Sequence, residues 1–380
     1  MLENGRVERM RANIVILGGG QVGRAVALDL AVEHRVKLVD RDSRALSFPG
    51  SAEIETETID VTRTEHLAST VKGADLVISA VPGEIGFATL ETVIRTGADV
   101  VDIAFSPEDP FALNDLAQEH EVTAVVDAGV APGLSHLIAG YHQARGSINS
   151  FCCYVGGLPR VRTWPFEYKA PFSPRDVIEE YLRPARFKRA GEIVTSPALS
   201  DPELVEFDGI GTLEAFNTDG LRTLLQTSII PDMTEKTCRY PGHRQLILAL
   251  KQAGFFSESA LTLSGRPIRP IDFTAEILRK AWSLDPEEPE FTVMRLILVG
   301  DEELRYDLYD SRDERSGLSS MARTTGFTCT AVARRLLAGE IKLKGICAPE
   351  RLGEDETCFN NIISDLEQRG VRLTVAKGVR

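Results

Sequence analysis

From residue 13 to residue 126 the chain repeats one pattern: a short run of β-branched and apolar residues, a turn, then apolar positions at helical spacing. NIVIL at Asn13–Leu17, RVKLV closing on Asp40, DLVISA at 75–80, and the stretches 99–103 and 122–126 each predict a strand. An apolar run closing on Ile59-Asp60-Val61 predicts one more. Helices are predicted at 24–32, around His66, at 85–96 and near 111–118. Strands and helices alternating at this length predict a parallel sheet covered on both faces, the doubly wound Rossmann form of α/β architecture.

Beyond His142 the pattern changes. β-rich stretches at 148–155, 213–217, 236–240, 291–299 and 304–309 follow one another without alternating helices, which predicts an α+β domain with a largely antiparallel sheet. An apolar helix at 319–337 and mixed elements at 345–375 then restore αβ character. The expected organisation is a Rossmann domain at 1–130, a second domain at 131–315, and a segment, 316–380, that returns to pack on the first.

A chain of 380 residues, 43% hydrophobic and 26% charged, suits two ordinary globular domains. A net charge of −13 without a basic run argues against nucleic acid or an anionic membrane as partner and for a small molecule. No apolar window reaches the length of a membrane helix, and MLENGRVERMRAN lacks the apolar stretch of a secretory signal, so a cytoplasmic location is expected. The six cysteines contain no CxxC pair; neither a metal nor a disulfide framework is expected.

The candidate chemistry begins at the turn after NIVIL, Gly18-Gly19-Gly20-Gln21-Val22-Gly23. Gly18 permits a tight turn, Gly20 lets backbone approach a pyrophosphate, and Gly23 lets the helix pack close to the strand, its N-terminal amides facing the phosphates. Asp40 follows 22 residues after Gly18 at the end of the next strand, placed to accept hydrogen bonds from ribose hydroxyls and to repel a 2′-phosphate. This favours NAD; Arg41 keeps NADP as the lesser alternative. The other strand ends should line the same rim: Asp60 and Val61, the turn Ala80-Val81-Pro82, Asp102 and Asp127. In VVDAGVAPGLSH, an apolar run stops on Asp127, and Ala128-Gly129 and Pro132-Gly133 leave room there for a ligand.

ILGGGQVGRAVALDL, AVPGEIGF, DIAFSPEDP, DAGVAPGLSH, YVGGLP, EYKAPFSPRDVIEEY, LEAFNTDGLRTLL, CRYPGH and MARTTGFT span nearly the whole chain. Together they resemble the saccharopine dehydrogenase-like oxidoreductases, most of all the L-lysine 6-dehydrogenase branch. The resemblance implies that the second domain closes the cleft, binds substrate and mediates a homodimer or higher homo-oligomer. It also implies oxidative deamination at the ε-carbon of lysine: NAD takes a hydride, the imine hydrolyses to an aldehyde, and the aldehyde cyclises with the remaining amine. That chemistry needs a base for the amine, with Asp127 first choice and His243 second. The amino-acid carboxylate needs a cation, for which Arg222 and Arg239 are candidates and Lys169 a weaker third. Tyr168, Trp164 and the loop 156–159 are candidates to hold the substrate and exclude water. Saccharopine or a carboxynorspermidine-type amine is the alternative substrate. A non-catalytic NAD-sensing module is the rival of another class, against which the polar, glycine-rich loops of the second domain weigh.

Overall fold

The computed structural model describes residues 11–170, 173–285 and 287–378. Its first half runs β1 (Asn13–Leu17), α1 (Gln21–Ala31), β2 (Arg35–Asp40), β3 (Glu55–Thr58), α2 (Thr64–Val71), β4 (Leu76–Ser79), α3 (Gly83–Arg95), β5 (Val100–Asp102), α4 (Asn114–Glu119) and β6 (Thr123–Val125). These strands form a parallel sheet in the order β6-β5-β4-β1-β2-β3, and Gly345–Cys347, from far along the chain, adds a seventh beside β6. Strand β4 is buried throughout, so it reads as an unbroken apolar run. Strand β3, with sequence ETET, is an exposed charged edge that ends at Thr58. The strand expected to close on Ile59-Asp60-Val61 therefore stops short, and Asp60 and Val61 lie in the loop beyond it.

The chain continues through α5 (Leu134–Gln143), β7 (Ile148–Pro159), α6 (Pro174–Leu182), β8 (Ala185–Arg189), β9 (Glu192–Ser196), β10 (Glu203–Phe207), β11 (Gly211–Asn217), α7 (Leu224–Thr227), β12 (Asp232–Arg239), α8 (His243–Gln252), β13 (Leu261–Leu263), β14 (Arg266–Ile268), α9 (Pro270–Ala281), β15 (Glu290–Gly300) and β16 (Glu303–Ser311). After these come α10 (Ser320–Leu337), β17 (Gly345–Cys347), α11 (Pro349–Glu354), α12 (Glu356–Gln368) and β18 (Leu373–Lys377). The second sheet has nine strands, with the path β10-β11-β12-β7-β15-β16-β18, β8 joined to β12 and β9 to β8. Its pairs are antiparallel except β12 with β7, which run parallel and place Glu235 opposite Cys153 and Thr237 opposite Val155. The sheet is thus mixed, as its single parallel pair requires.

The C-terminal segment divides between the halves. Strand β17 extends the parallel sheet, whereas β18 pairs with β16 in the mixed sheet, so residues 373–377 do not return to the first half. Almost every residue of α10 is buried, the mark of a helix covered on all sides. Asp29 on α1 accepts hydrogen bonds from the Thr330 hydroxyl (2.6 Å), Arg334 (2.9 Å) and Arg369 (2.7 Å). On its other side, Arg323 of α10 donates to Asp310 of β16 at 2.9 Å. One hydrophobic cluster accordingly holds Ile16 of β1, Val26 of α1, Phe327 of α10 and Met294 of β15. Among the described residues no helix is long and apolar enough to cross a membrane.

Candidate active site

One cavity of about 470 Å³ runs from the glycine turn after β1 to the second sheet. Gly18, Gly20, Gln21, Val22, Gly23, Asp40, Ala80, Val81 and Pro82 line its first half. Gly18 has φ +106°, and a Cβ at Gly23 would collide with the Gly18 carbonyl oxygen, so turn and helix are as close as backbone allows. A Cβ at Gly20 would meet nothing, which leaves space above the bare N-terminus of α1. Asp40 Oδ2 accepts from the Gly19 amide at 2.7 Å and Oδ1 from the Asp42 amide at 2.8 Å, fixing the carboxylate between the glycine turn and the turn after β2. This cradle fits a dinucleotide, its pyrophosphate at the helix N-terminus and its ribose toward Asp40.

Asp127 stands where the two halves meet. It is buried, lines the cavity and holds φ +52°. Its Oδ1 accepts from Arg222 Nε at 2.8 Å, while its Oδ2 is buried with no partner. Arg222 does not line the cavity. It lies behind Asp127, donates from Nη1 to the Ser106 carbonyl at 2.7 Å and rests over the Phe105 ring. His136 Nε2 bonds to the Leu221 carbonyl at 2.9 Å and so must carry the proton there, which fixes the Arg222 loop. The expected role of Arg222 as a cation free for a substrate carboxylate is corrected: its charge is spent on Asp127.

The far wall is polar. On β12, Glu235, Thr237 and Arg239 point into the cavity at every second position. Asp176, Val177 and Glu180 face it from one side of α6, with Thr218, Gly220 and Tyr168 beside them. Arg239 stacks over Tyr168 at 4.4 Å and donates from Nε to the Tyr181 hydroxyl at 2.9 Å. Burial pushes the Glu235 carboxyl up to about 8 and that of Asp176 to about 6. Asp176 also accepts from the Gly83 amide, 3.3 Å away across the cleft.

His243, the second candidate base, is corrected to a support. It is buried off the cavity, with Nδ1 donating to the Phe166 carbonyl at 2.9 Å and Nε2 accepting from Tyr181 at 3.0 Å. Burial, reinforced by the Arg239 charge, lowers it to about 3, so it stays neutral. The chain of bonds from Phe166 through His243 and Tyr181 to Arg239 orients that guanidinium instead. Lys169 pairs with Glu288 at 2.6 Å away from this cavity, and Trp164 is 81% exposed. Asp60 and Val61 do not line the cavity; Asp60 receives the Thr62 amide and hydroxyl. Asp102 is buried beneath the site, where burial raises its carboxyl to about 7.

Asp176, Glu180 and Glu235 are absent from the sequence-based candidates. The signal was present in EKTCRY, where Glu, Thr and Arg alternate along a strand, and in RDVIEEY, where Asp176 and Glu180 fall four apart on a helix. A dinucleotide cradle joined to a polar chamber in the second half defines a dinucleotide-binding protein with room for a second, polar ligand beside the nucleotide.

Comparison with known proteins places it further. The saccharopine dehydrogenase NADP binding domain model matches residues 14–125, and the saccharopine dehydrogenase C-terminal domain model matches 129–371. The chain belongs to the saccharopine dehydrogenase family. It is 28% identical over 282 residues to saccharopine dehydrogenase [NADP(+), L-glutamate-forming] of Saccharomyces cerevisiae, covering 68% of this chain and 62% of that one. To alpha-aminoadipic semialdehyde synthase of Arabidopsis thaliana it is 26% identical over 231 residues, 56% of this chain and 21% of that one. It thus spans about three fifths of the yeast relative's length and about a fifth of the plant one's. Apo saccharopine dehydrogenase from Saccharomyces cerevisiae shares the fold, with a TM-score of 0.78 at 21% identity over 97% of this chain and all of that one. Homospermidine synthase from Legionella pneumophila, solved with NAD, shares it at TM-score 0.66 and 16% identity over 97% and 91%.

Proposed function

We propose that this protein oxidises an amine-bearing carbon of L-lysine with NAD as the acceptor. The observation that carries the reading is Asp127 Oδ2, a buried carboxylate oxygen without a partner on the wall of the chamber that also contains the dinucleotide cradle. Bound nicotinamide supplies the hydride acceptor. Asp127, held in place by its ion pair with Arg222, receives the hydrogen of the reacting amine on Oδ2 and takes up its proton. Arg239 receives the amino-acid carboxylate with the N–H groups it does not spend on Tyr181, Glu180 and the Cys238 carbonyl. Tyr168 and the backbone at Gly156 and Gly157 close the wall and exclude water.

Charge favours lysine. Among the described residues the chamber beyond the cradle presents Asp127, Asp176 and Glu180, together with the carboxyl of Glu235 that burial holds up to about 8, against one lining cation, Arg239. Saccharopine carries two carboxylates more than lysine and is matched less well by such a wall. Asp40 supports NAD, although the yeast relative, named above as an NADP(+) enzyme, favours the other nucleotide. The reading includes a homodimer formed through the second half, which light scattering on the purified protein checks.

The test is a panel of L-lysine, saccharopine and a carboxynorspermidine-type amine, each with NAD and with NADP, followed by reduced-nicotinamide absorbance. Turnover of L-lysine with NAD is expected. Turnover of saccharopine alone replaces the substrate, and binding of nucleotide without turnover of any amine replaces the enzyme with a sensor.

A further inference from the structure

The chamber holds a second carboxyl that the proposed proton transfer does not use. Glu235, midway along β12, is 6% exposed and lines the cavity. Its Oε2 accepts from the Thr218 hydroxyl at 2.7 Å and from the Gly220 amide at 3.1 Å, which leaves Oε1 with no donor among the described residues. Among the described residues no cation is bonded to it. The charges that act on it most, Glu180 and Asp219, are acids, and Arg239 is turned to Tyr181, Glu180 and the Cys238 carbonyl. Burial pushes this carboxyl up to about 8, so an arriving ammonium that pairs with it displaces the Glu235 proton and supplies the countercharge that Thr218 and Gly220 do not.

The loop that supplies Gly220 supplies Arg222 two residues later, and Arg222 holds Asp127. Glu235 and Asp127 line the same chamber, and each leaves one carboxyl oxygen without a donor among the described residues.

We infer that Glu235 receives a second ammonium group of the substrate and so selects molecules that carry two amines on one aliphatic chain. This rests on the amine-oxidation reading and specifies the end of the substrate that does not react. The reacting nitrogen sits at Asp127, the second at Glu235, and a carboxylate, where there is one, at Arg239.

The test compares L-lysine with ε-aminocaproate, which keeps the chain, the terminal amine and the carboxylate but lacks the second amine. Calorimetric titration of the NAD-loaded protein should show lysine binding at least about tenfold tighter, in keeping with a charge-assisted hydrogen bond. In Glu235→Gln the amide oxygen can still accept from Thr218 and Gly220. That variant should bring the two ligands within about twofold of each other by weakening lysine, with NAD affinity unchanged and the midpoint of thermal unfolding no lower than that of the wild type. Its KM for lysine should rise while kcat at saturation is nearly kept. A wild type that oxidises amines without distinguishing the two ligands, or a variant that still prefers lysine tenfold, overturns the inference while the amine-oxidation reading stands. A wild type that neither binds nor oxidises any amine overturns both.

Discussion

Asp127 and Arg222 both hold left-handed backbone, at φ +52° and +41°, and they hold it against each other. Such conformations cost on the order of 1–3 kcal/mol each in residues with side chains, and persist where the surroundings fix them. Asparagine tolerates that backbone as well as aspartate does, so Asp127→Asn isolates the charge. Turnover should fall by about 100-fold or more, while nucleotide affinity measured by fluorescence titration stays the same; an unchanged rate removes Asp127 from the chemistry. A second buried acid lies behind this pair. Glu350 accepts from the Thr223 and Thr227 hydroxyls, and burial raises its carboxyl from 4.5 to about 7. The folded protein thus keeps a proton that the unfolded chain releases, and this contribution is present below pH 4.5 and lost as pH rises toward 7. Glu350→Gln should therefore gain on the wild type across that window by about 1–3 kcal/mol, read by urea unfolding at the two ends. Parallel stability curves would contradict it. Asp127 was legible in the sequence as an acid ending an apolar run before small residues. The state of His243 was not, because Tyr181 and Phe166, which consume its two nitrogens, lie 62 and 77 residues away.

Strand, glycine turn and helix at 13–31 were legible for the same reason that they work: each glycine answers a steric demand of the turn. Gly23→Ala should weaken nucleotide binding at least about tenfold, since relieving its contact with the Gly18 carbonyl must move helix or turn by an amount that costs about 1–3 kcal/mol. Unaltered affinity would show that the cradle yields freely. Strands with one polar face were harder to read. Strand β12 was expected at 236–240 but runs Asp232–Arg239, because its cavity face, with Glu235, Thr237 and Arg239, gives no apolar alternation. Glu235 fell just outside the predicted strand and was missed with it. Strand β3 misled in the same way: its Glu and Thr residues suit an exposed edge, and the apolar residues beyond it drew the expectation onward to Val61.

Over the whole molecule, the α/β and mixed-sheet halves were legible from periodicity, but their attachment was not. Helix α10 packs at once on the mixed sheet and, through pairs more than 300 residues apart such as Asp29 with Arg334, on α1. Asp29→Ala leaves Arg334 and Arg369 without their shared acid, at a cost of about 3 kcal/mol. Because the hydrophobic cluster is continuous from β1 to β15, that loss should lower a single cooperative unfolding transition rather than one of two. Differential scanning calorimetry checks it, and two resolved endotherms would refute the shared core. The end of the chain was the least legible part, since β18, mostly exposed along LTVAK, carries little apolar signal to say which sheet it joins.

The path of α10 and β17 bears on how this architecture can be re-engineered or recombined. A graft of the nucleotide-binding half from a relative cannot be made with a single crossover near residue 130, because it would arrive without the helix that covers α1 and without the strand that completes its sheet. A workable chimera exchanges residues up to about that point together with α10 and β17, and must leave β18 with the recipient.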